Sequence, residues 1–174
     1  MSVDFDQLVR TRRTVKAFAP EPVARETLDE LLDLARWAPN HHLTNPWRFR
    51  VLGPDALTAL KAAAGPEAAA KLDRAPTLVA ASVIGSGGVD PVADEEDFAA
   101  GAAAVFIVLL GAHARGLAGY WRTPGVLHTS AGRAACSIAE GERVLGLIHL
   151  GVARGPEKAP PERAPLEEVR SFLP

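Results

Sequence analysis

Three stretches of the chain gather side chains of the kind that grip a small molecule or stack on it. The first, Arg12-Arg13-Thr14-Val15-Lys16, sets three cations beside a hydroxyl; guanidinium forks and a hydroxyl donor suit a phosphate dianion. Charge runs at helix ends are as often simply solvated, so this stretch alone decides nothing. The second, Trp37-Ala38-Pro39-Asn40-His41-His42-Leu43-Thr44-Asn45-Pro46-Trp47, crowds two tryptophans, two histidines and two asparagines around two prolines. Adjacent histidines seldom chelate one ion together, and no Asp, Glu or Cys lies in the loop to complete a zinc site. Stacking on a flat ligand fits Trp37 better, whereas Trp47 reads as a core position on the following strand. In the third, Tyr120-Trp121-Arg122-Thr123 emerges from the two-glycine break Gly116-Leu117-Ala118-Gly119. Aromatic and basic residues leaving such a break look like the edge of a ligand site.

Other chemically capable residues read as structural. Gly85-Ser86-Gly87-Gly88 has neither the Gly-x-Gly-x-x-Gly spacing nor a following Gly-Lys-Ser/Thr, so it reads as a flexible loop rather than a phosphate cradle. Cys136 lies in apolar surroundings, with Ser137 beside it and His128 nearby; a buried, inert thiol is expected. His149, between Ile148 and Leu150, reads as a hydrogen-bonded strand histidine rather than a base. No metal site and no catalytic side chain are expected.

The elements that must position these stretches follow from periodicity and punctuation. Ser2 can cap a first helix to about Arg10 that buries Val3, Phe5 and Leu8. Leu28, Leu31, Leu32 and Ala35 predict a second helix from about Ala24 to Trp37, which Pro39 ends. Strands are expected at 47–52, 76–84 and 143–152, a helix from Pro54 to Ala64, and a second alanine-rich helical piece to about Arg74. The longest apolar run, Phe98 to Ala112, carries no charge and reads as a buried central helix. Its reach of about 22 Å is short of the ~20 residues that span a bilayer. A short helix is expected over 128–138, and a proline-rich tail from Gly155 with one or two helical turns over 166–173.

Composition narrows the function classes. At 174 residues the chain suits one domain, with no repeat. A net charge of −2 from well-mixed ions leaves no nucleic-acid or membrane footprint, so any anionic ligand needs a local cluster. One cysteine excludes an internal disulfide and suits a reducing cytoplasm, and the acidic N-terminus lacks signal-peptide order.

Together these stretches resemble the FMN-dependent nitroreductase family, particularly its compact bacterial members. Arg12-Arg13-Thr14-Val15-Lys16-Ala17-Phe18 resembles its N-terminal flavin motif, with Thr14 where Ser is usual. Trp37 through Asn45-Pro46-Trp47 resembles its Ala-Pro loop ending in Gln-Pro-Trp, with Asn45 replacing Gln. Gly116 to Thr123 is similar to the segment after its central helix. Leu150-Gly151 and Arg163 to Val169 resemble its closing strand and tail, although Pro161 stands where larger relatives carry a further basic residue.

The resemblance implies an α+β fold, a mostly antiparallel sheet flanked by helices. It further implies a homodimer with FMN at the subunit interface, the central helix as shared spine, and residues 155–174 wrapping the partner. Arg12 and Thr14 would bind the FMN phosphate, helped by Arg122 or Arg163, with Arg13 lining the same turn. Lys16 would face the N1 and O2 edge of the ring, Trp37 and His41 would reach the other subunit's FMN, and Trp121, Arg122 and Thr123 would close the ring or ribityl side. The implied activity is ping-pong hydride transfer from NADH or NADPH to nitroaromatic, quinone or other electron-poor acceptors. An enone reductase, a reductive dehalogenase or a non-catalytic flavin sensor or carrier are the alternatives, and a cofactor-free adaptor is the blandest.

Overall fold

The computed structural model describes residues 4–156 and 159–174. Along the chain come α1 (Phe5–Thr11), α2 (Arg25–Ala35), β1 (Trp47–Val51), α3 (Pro54–Ala64), α4 (Pro66–Ala69), β2 (Thr77–Ile84) and α5 (Pro91–Ala114). Then follow β3 (Ala118–Arg122), α6 (Ser130–Ala135) and β4 (Glu142–Gly151). The strands form one antiparallel sheet in the order β1-β2-β4-β3, so the fold is α+β.

Both central strands are apolar on both faces because both faces are covered. Val79, Ala81 and Val83 of β2, with Leu145, Ile148 and Leu150 of β4, pack beneath α2 and α5. Leu78 and Ala80, with Val144 and Leu147, pack on the other side with Leu60 of α3, Leu72 and Cys136. The register shifts between Ala81 and Ser82, opposite Gly146, and this bulge lets Val144 and Leu147 share a face. Gly146 has φ 140°, and a Cβ there would lie 2.7 Å from Trp121 Nε1. Only glycine fits where β3 crosses so close.

Helix α5 is longer than its apolar run because Asp90 caps it, accepting from the amides of Val92 and Ala93, with Pro91 in the first turn. The Phe98–Ala112 run is apolar all round but not covered all round. Ala100, Gly101, Ala104, Val105, Val108, Leu109 and Ala112 face the core. Ala99, Ala103, Phe106 and Leu110 form a stripe that the chain leaves partly or fully uncovered, with Phe106 42% exposed.

Several local expectations are corrected. Asp4, accepting from Gln7 N, caps α1, while Ser2 and Val3 fall outside the described residues. No residue of α1 is buried and Phe5 is 67% exposed. The 85–88 loop is not merely flexible: Asp94 accepts the amides of Ser86 and Gly88 and so winds it into a fixed turn. Those bonds, the Ser86 amide foremost, hold the Asp94 carboxyl below its usual range. The expected helix over 128–138 is shorter and is preceded by a 3-10 turn at Gly125–His128. The described tail residues beyond Gly151 are exposed, with a single turn at Leu166–Glu168.

Candidate functional site

Helix α1 stops at Thr11, and Arg12 at φ −56°, ψ 129° turns the chain out along the sheet edge. Thr14 bridges Gly119, Ala19 N donates to Val152 O (2.9 Å), and Arg154 N donates back to Ala17 O (3.0 Å). The buried Phe18 anchors this segment. Thr11 Oγ1, whose proton goes to Gln7 O (2.7 Å), lies 2.8 Å from His113 Nε2 and ties α1 to the end of α5. A cleft of about 430 Å³ opens between these parts, with Gly116–Gly119 on one wall and Ala153–Pro156 on another. Arg12, Arg13, Lys16 and Arg154 line it, and no carboxylate does among the described residues.

Among the described residues these cations have no counter-ion. None of Arg12, Arg13, Lys16, Arg154 or Arg163 forms an ion pair within the described residues. Burial, then the charges of Arg13 and Arg163, push the Arg12 guanidinium below its ordinary pKa. Arg13 Nη1 is held by the carbonyls of Arg10 (2.6 Å) and Arg12 (2.8 Å), leaving its Nε buried without a partner. Lys16 Nζ sits 5.6 Å above the Tyr120 ring, a weak partner for a full charge. Clustered, partly desolvated cations with an orphaned donor are built to receive an anion.

The remaining expected site residues lie around or away from this cleft. Thr14 is exposed at its edge bridge. Arg163 lies against α1 in an adjoining groove. Trp121 is turned inward: Nε1 donates to Leu145 O at 2.9 Å and the ring packs on the core. Thr123 Oγ1 approaches the same carbonyl at 3.5 Å. Arg122 lines a separate hollow with Ala63, Ala64, Ala68 and Leu72. Arg154, His113 and Thr11 were not singled out in the sequence; only the folded edge brings these isolated residues together.

His41 sits at the far end of α5, and Trp37 lies just past the end of α2. His41 Nδ1 is 3.5 Å from Glu96 Oε2, and Thr44 Oγ1 donates to Asp97 at 2.6 Å. From Asp97 to His113 the helix climbs about 24 Å at ~1.5 Å per residue, so one chain does not unite the two halves of the expected site. His42 (φ 49°), Leu43 (φ 54°) and Asn45 (φ 47°) are all left-handed, a strained conformation. Asn40 Oδ1 braces the turn by accepting Asn45 N at 2.9 Å. Trp37 is 79% exposed.

Two buried groups complete the inventory. Burial pushes the Cys136 thiol up to about 11, which keeps it protonated and inert. His149 departs from expectation: it is fully buried and neither ring nitrogen has a hydrogen-bond partner. Its ring instead lies 5.3 Å from that of Tyr120. Burial first, then the charges of Arg122 and Arg74, push the imidazole down to about 4.

The Nitroreductase family model matches residues 9–152, from α1 through β4, including the cationic edge and the braced loop. The chain belongs to the nitroreductase family. "Putative NAD(P)H nitroreductase YfhC" of Bacillus subtilis (strain 168) is 25% identical over 179 residues, covering 92% of this chain and 90% of that one. Other curated reductases match over shorter stretches, 22% to 42% of their own lengths. Among solved structures, a nitroreductase-like family protein from Bacillus cereus superposes with a TM-score of 0.87 at 23% identity, covering 99% of this chain and 97% of that one. A structure from Desulfovibrio desulfuricans in complex with FMN gives 0.80 at 23% identity, with 100% and 99% covered. The nitroreductase fold therefore accounts for the antiparallel sheet and the long central helix of this chain.

Proposed function

We propose that this nitroreductase-family chain binds FMN and acts as an NAD(P)H-dependent reductase of electron-poor acceptors, nitroaromatics and quinones among them. The observation that carries the reading is the cluster of Arg12, Arg13 and Arg163, in which burial and the charges of the other two lower the Arg12 guanidinium, with no carboxylate lining the cleft or the adjoining groove among the described residues. A flavin phosphate relieves that repulsion, and Thr14 adds a hydroxyl donor beside it. Lys16, held over Tyr120, would face the pyrimidine edge of the flavin ring and favour negative charge there. FMN bound by these residues would supply the redox chemistry, hydride exchange between NAD(P)H and an acceptor. The chain's own side chains bind and orient; none is needed as an acid or base.

The site is shared between two copies. The uncovered stripe of α5 is centred near Phe106, about midway between Asp97 and His113. A two-fold axis there sets two α5 helices antiparallel and carries the Trp37–His41 loop of one chain to the cationic cleft of the other. Phe5 and Leu34, also exposed, extend the apolar face. Leu166, Val169, Phe172 and Leu173 are all exposed along the tail, which supports a strap across the partner.

Anaerobic addition of NADPH or NADH to the FMN-loaded protein tests the reading. Bleaching of the flavin, reversed by a nitroaromatic or quinone, is expected. Flavin that stays bound and oxidised would instead make the protein a flavin carrier.

A further inference from the structure

The hollow at Arg122, of about 250 Å³, shares no lining residue with the cationic cleft or the groove beside it. The turn from α3 to α4 builds one wall. Gly65, at φ 74°, ends α3 and Pro66 starts α4 at once, so Ala63, Ala64 and Ala68 border the space with side chains too small to fill it. Pro124 and Val126, just after β3, border it from the other side. Thr129 Oγ1 is already committed, donating to Val126 O (2.8 Å) and accepting from Gly132 N (3.1 Å). Arg122 is the one charged side chain among the described lining residues.

That guanidinium is half-buried and forms no ion pair among the described residues. The acids nearest in sequence to the α4 wall are taken: Glu67 pairs with Lys71 at 3.3 Å, and Asp73 pairs with Lys61. The charges of Arg122 and of Arg74 both bear on the buried His149, so positive charge gathers on this face of the sheet. A partly desolvated cation among alanine, leucine, proline and valine suits an anionic group carried on an apolar body better than a bare ion. The volume lies just below the ~300 Å³ at which pockets for drug-sized ligands begin, which matches a single ring.

Strand β3 relates the hollow to the flavin site. Side chains two residues apart share a face of a strand, so Arg122 follows Tyr120, over whose ring Lys16 sits, by about 7 Å at ~3.3 Å per residue. The flavin reading sets the ring edge at Lys16; the hollow opens one pleat beyond it, at the opposite end of β3 from Ala118 and Gly119 of the cationic cleft.

Resting on that reading, we propose that the hollow binds a single-ring aromatic carboxylic acid, with Arg122 holding the carboxylate and the alanine wall the ring, so that aromatic acids rather than neutral aromatics are the acceptor class of this site. A neutral ring of the same shape leaves Arg122 without its anion.

The experiment is calorimetric titration of the FMN-loaded protein with benzoate and with the isosteric, uncharged benzamide, in the parent, in Arg122→Gln and in Ala68→Leu. In the parent, benzoate is expected to bind about ten-fold more tightly or better, the scale of a charge-assisted hydrogen bond. Arg122→Gln should remove most of that difference. Ala68→Leu, which fills the hollow and leaves the arginine in place, should weaken both ligands. Equal affinity for the two ligands in parent protein that has taken up FMN overturns this inference alone. A preference for benzoate that survives in Arg122→Gln places the carboxylate at another cation, and unchanged binding in Ala68→Leu places the ring outside the hollow; either result also overturns it. Parent protein that takes up no FMN removes the flavin reading first, and the acceptor role of the hollow with it.

Discussion

His149→Leu should make this protein more stable, and increasingly so as the pH falls. The native imidazole is sealed at the β3–β4 pairing with both nitrogens unbonded and titrates at about 4, whereas an unfolded histidine titrates near 6.5. Below pH 6.5 the unfolded chain therefore takes up a proton that the native state refuses, and stability declines until the folded pKa is reached. At ~1.36 kcal/mol per unit, that gap costs the native state about 3 kcal/mol between pH 7 and pH 4. Above pH 6.5 this linkage vanishes, but an unsatisfied buried polar group still costs about 1–3 kcal/mol. Leucine removes both terms and gives up a ring contact with Tyr120 worth about 0.5–1.5 kcal/mol. A gain of roughly 1 kcal/mol at pH 7 is expected, widening by about 3 kcal/mol at pH 4. Urea unfolding of parent and variant across that range reads the difference, since acid titration of every other group is common to both. Parallel pH profiles, or a variant clearly less stable at pH 7, would refute the picture of a neutral, unpaired imidazole.

Other residues offer independent checks. Arg12→Ala should weaken FMN binding by about 1.5–3 kcal/mol, the range for a lost charge-assisted hydrogen bond; unchanged affinity in a fluorescence titration would take Arg12 out of the site. Phe106→Glu places a charge in the middle of the uncovered α5 stripe and should shift the protein to monomer in sedimentation velocity, with loss of FMN. Arg50→Ala strips the partner from Glu142, which Arg50 Nη2 meets at 2.6 Å and Ser82 also bonds. Burial alone would raise the Glu142 carboxyl, yet these bonds hold it lowered. Because Arg50 is partly exposed, the destabilisation should be about 2–3 kcal/mol, under the ~3–5 of a fully buried pair, as read by urea denaturation at pH 7.

Much of the frame was legible because local signals agree with one another. Pro54 and the Gly65-Pro66 pair bound α3 as the caps demand, and the apolar runs of β2 and β4 mark strands covered on both faces. The cationic stretch Arg12 to Lys16 was visible as a charge run, but its orphaned state was not, since that depends on which acids fold nearby. The uniform apolarity of α5 was readable, whereas the stripe it leaves open depends on the reach of α1 and α2. His149 was misread because strand periodicity places a side chain on a face without saying whether a donor or acceptor waits there. The separation of His41 from Arg12 along α5 is a tertiary fact with no local signature.

We propose that the cations at the sheet edge, unpaired among the described residues, hold FMN in a site completed by a second copy of the chain. Titration of the purified protein with FMN, followed by visible absorbance in a sedimentation-velocity run, tests it most directly. Saturable uptake of one flavin per chain is expected, with the yellow boundary moving at the rate of a dimer. Protein that stays colourless after FMN is added, or flavin that sediments with a monomer, would contradict it.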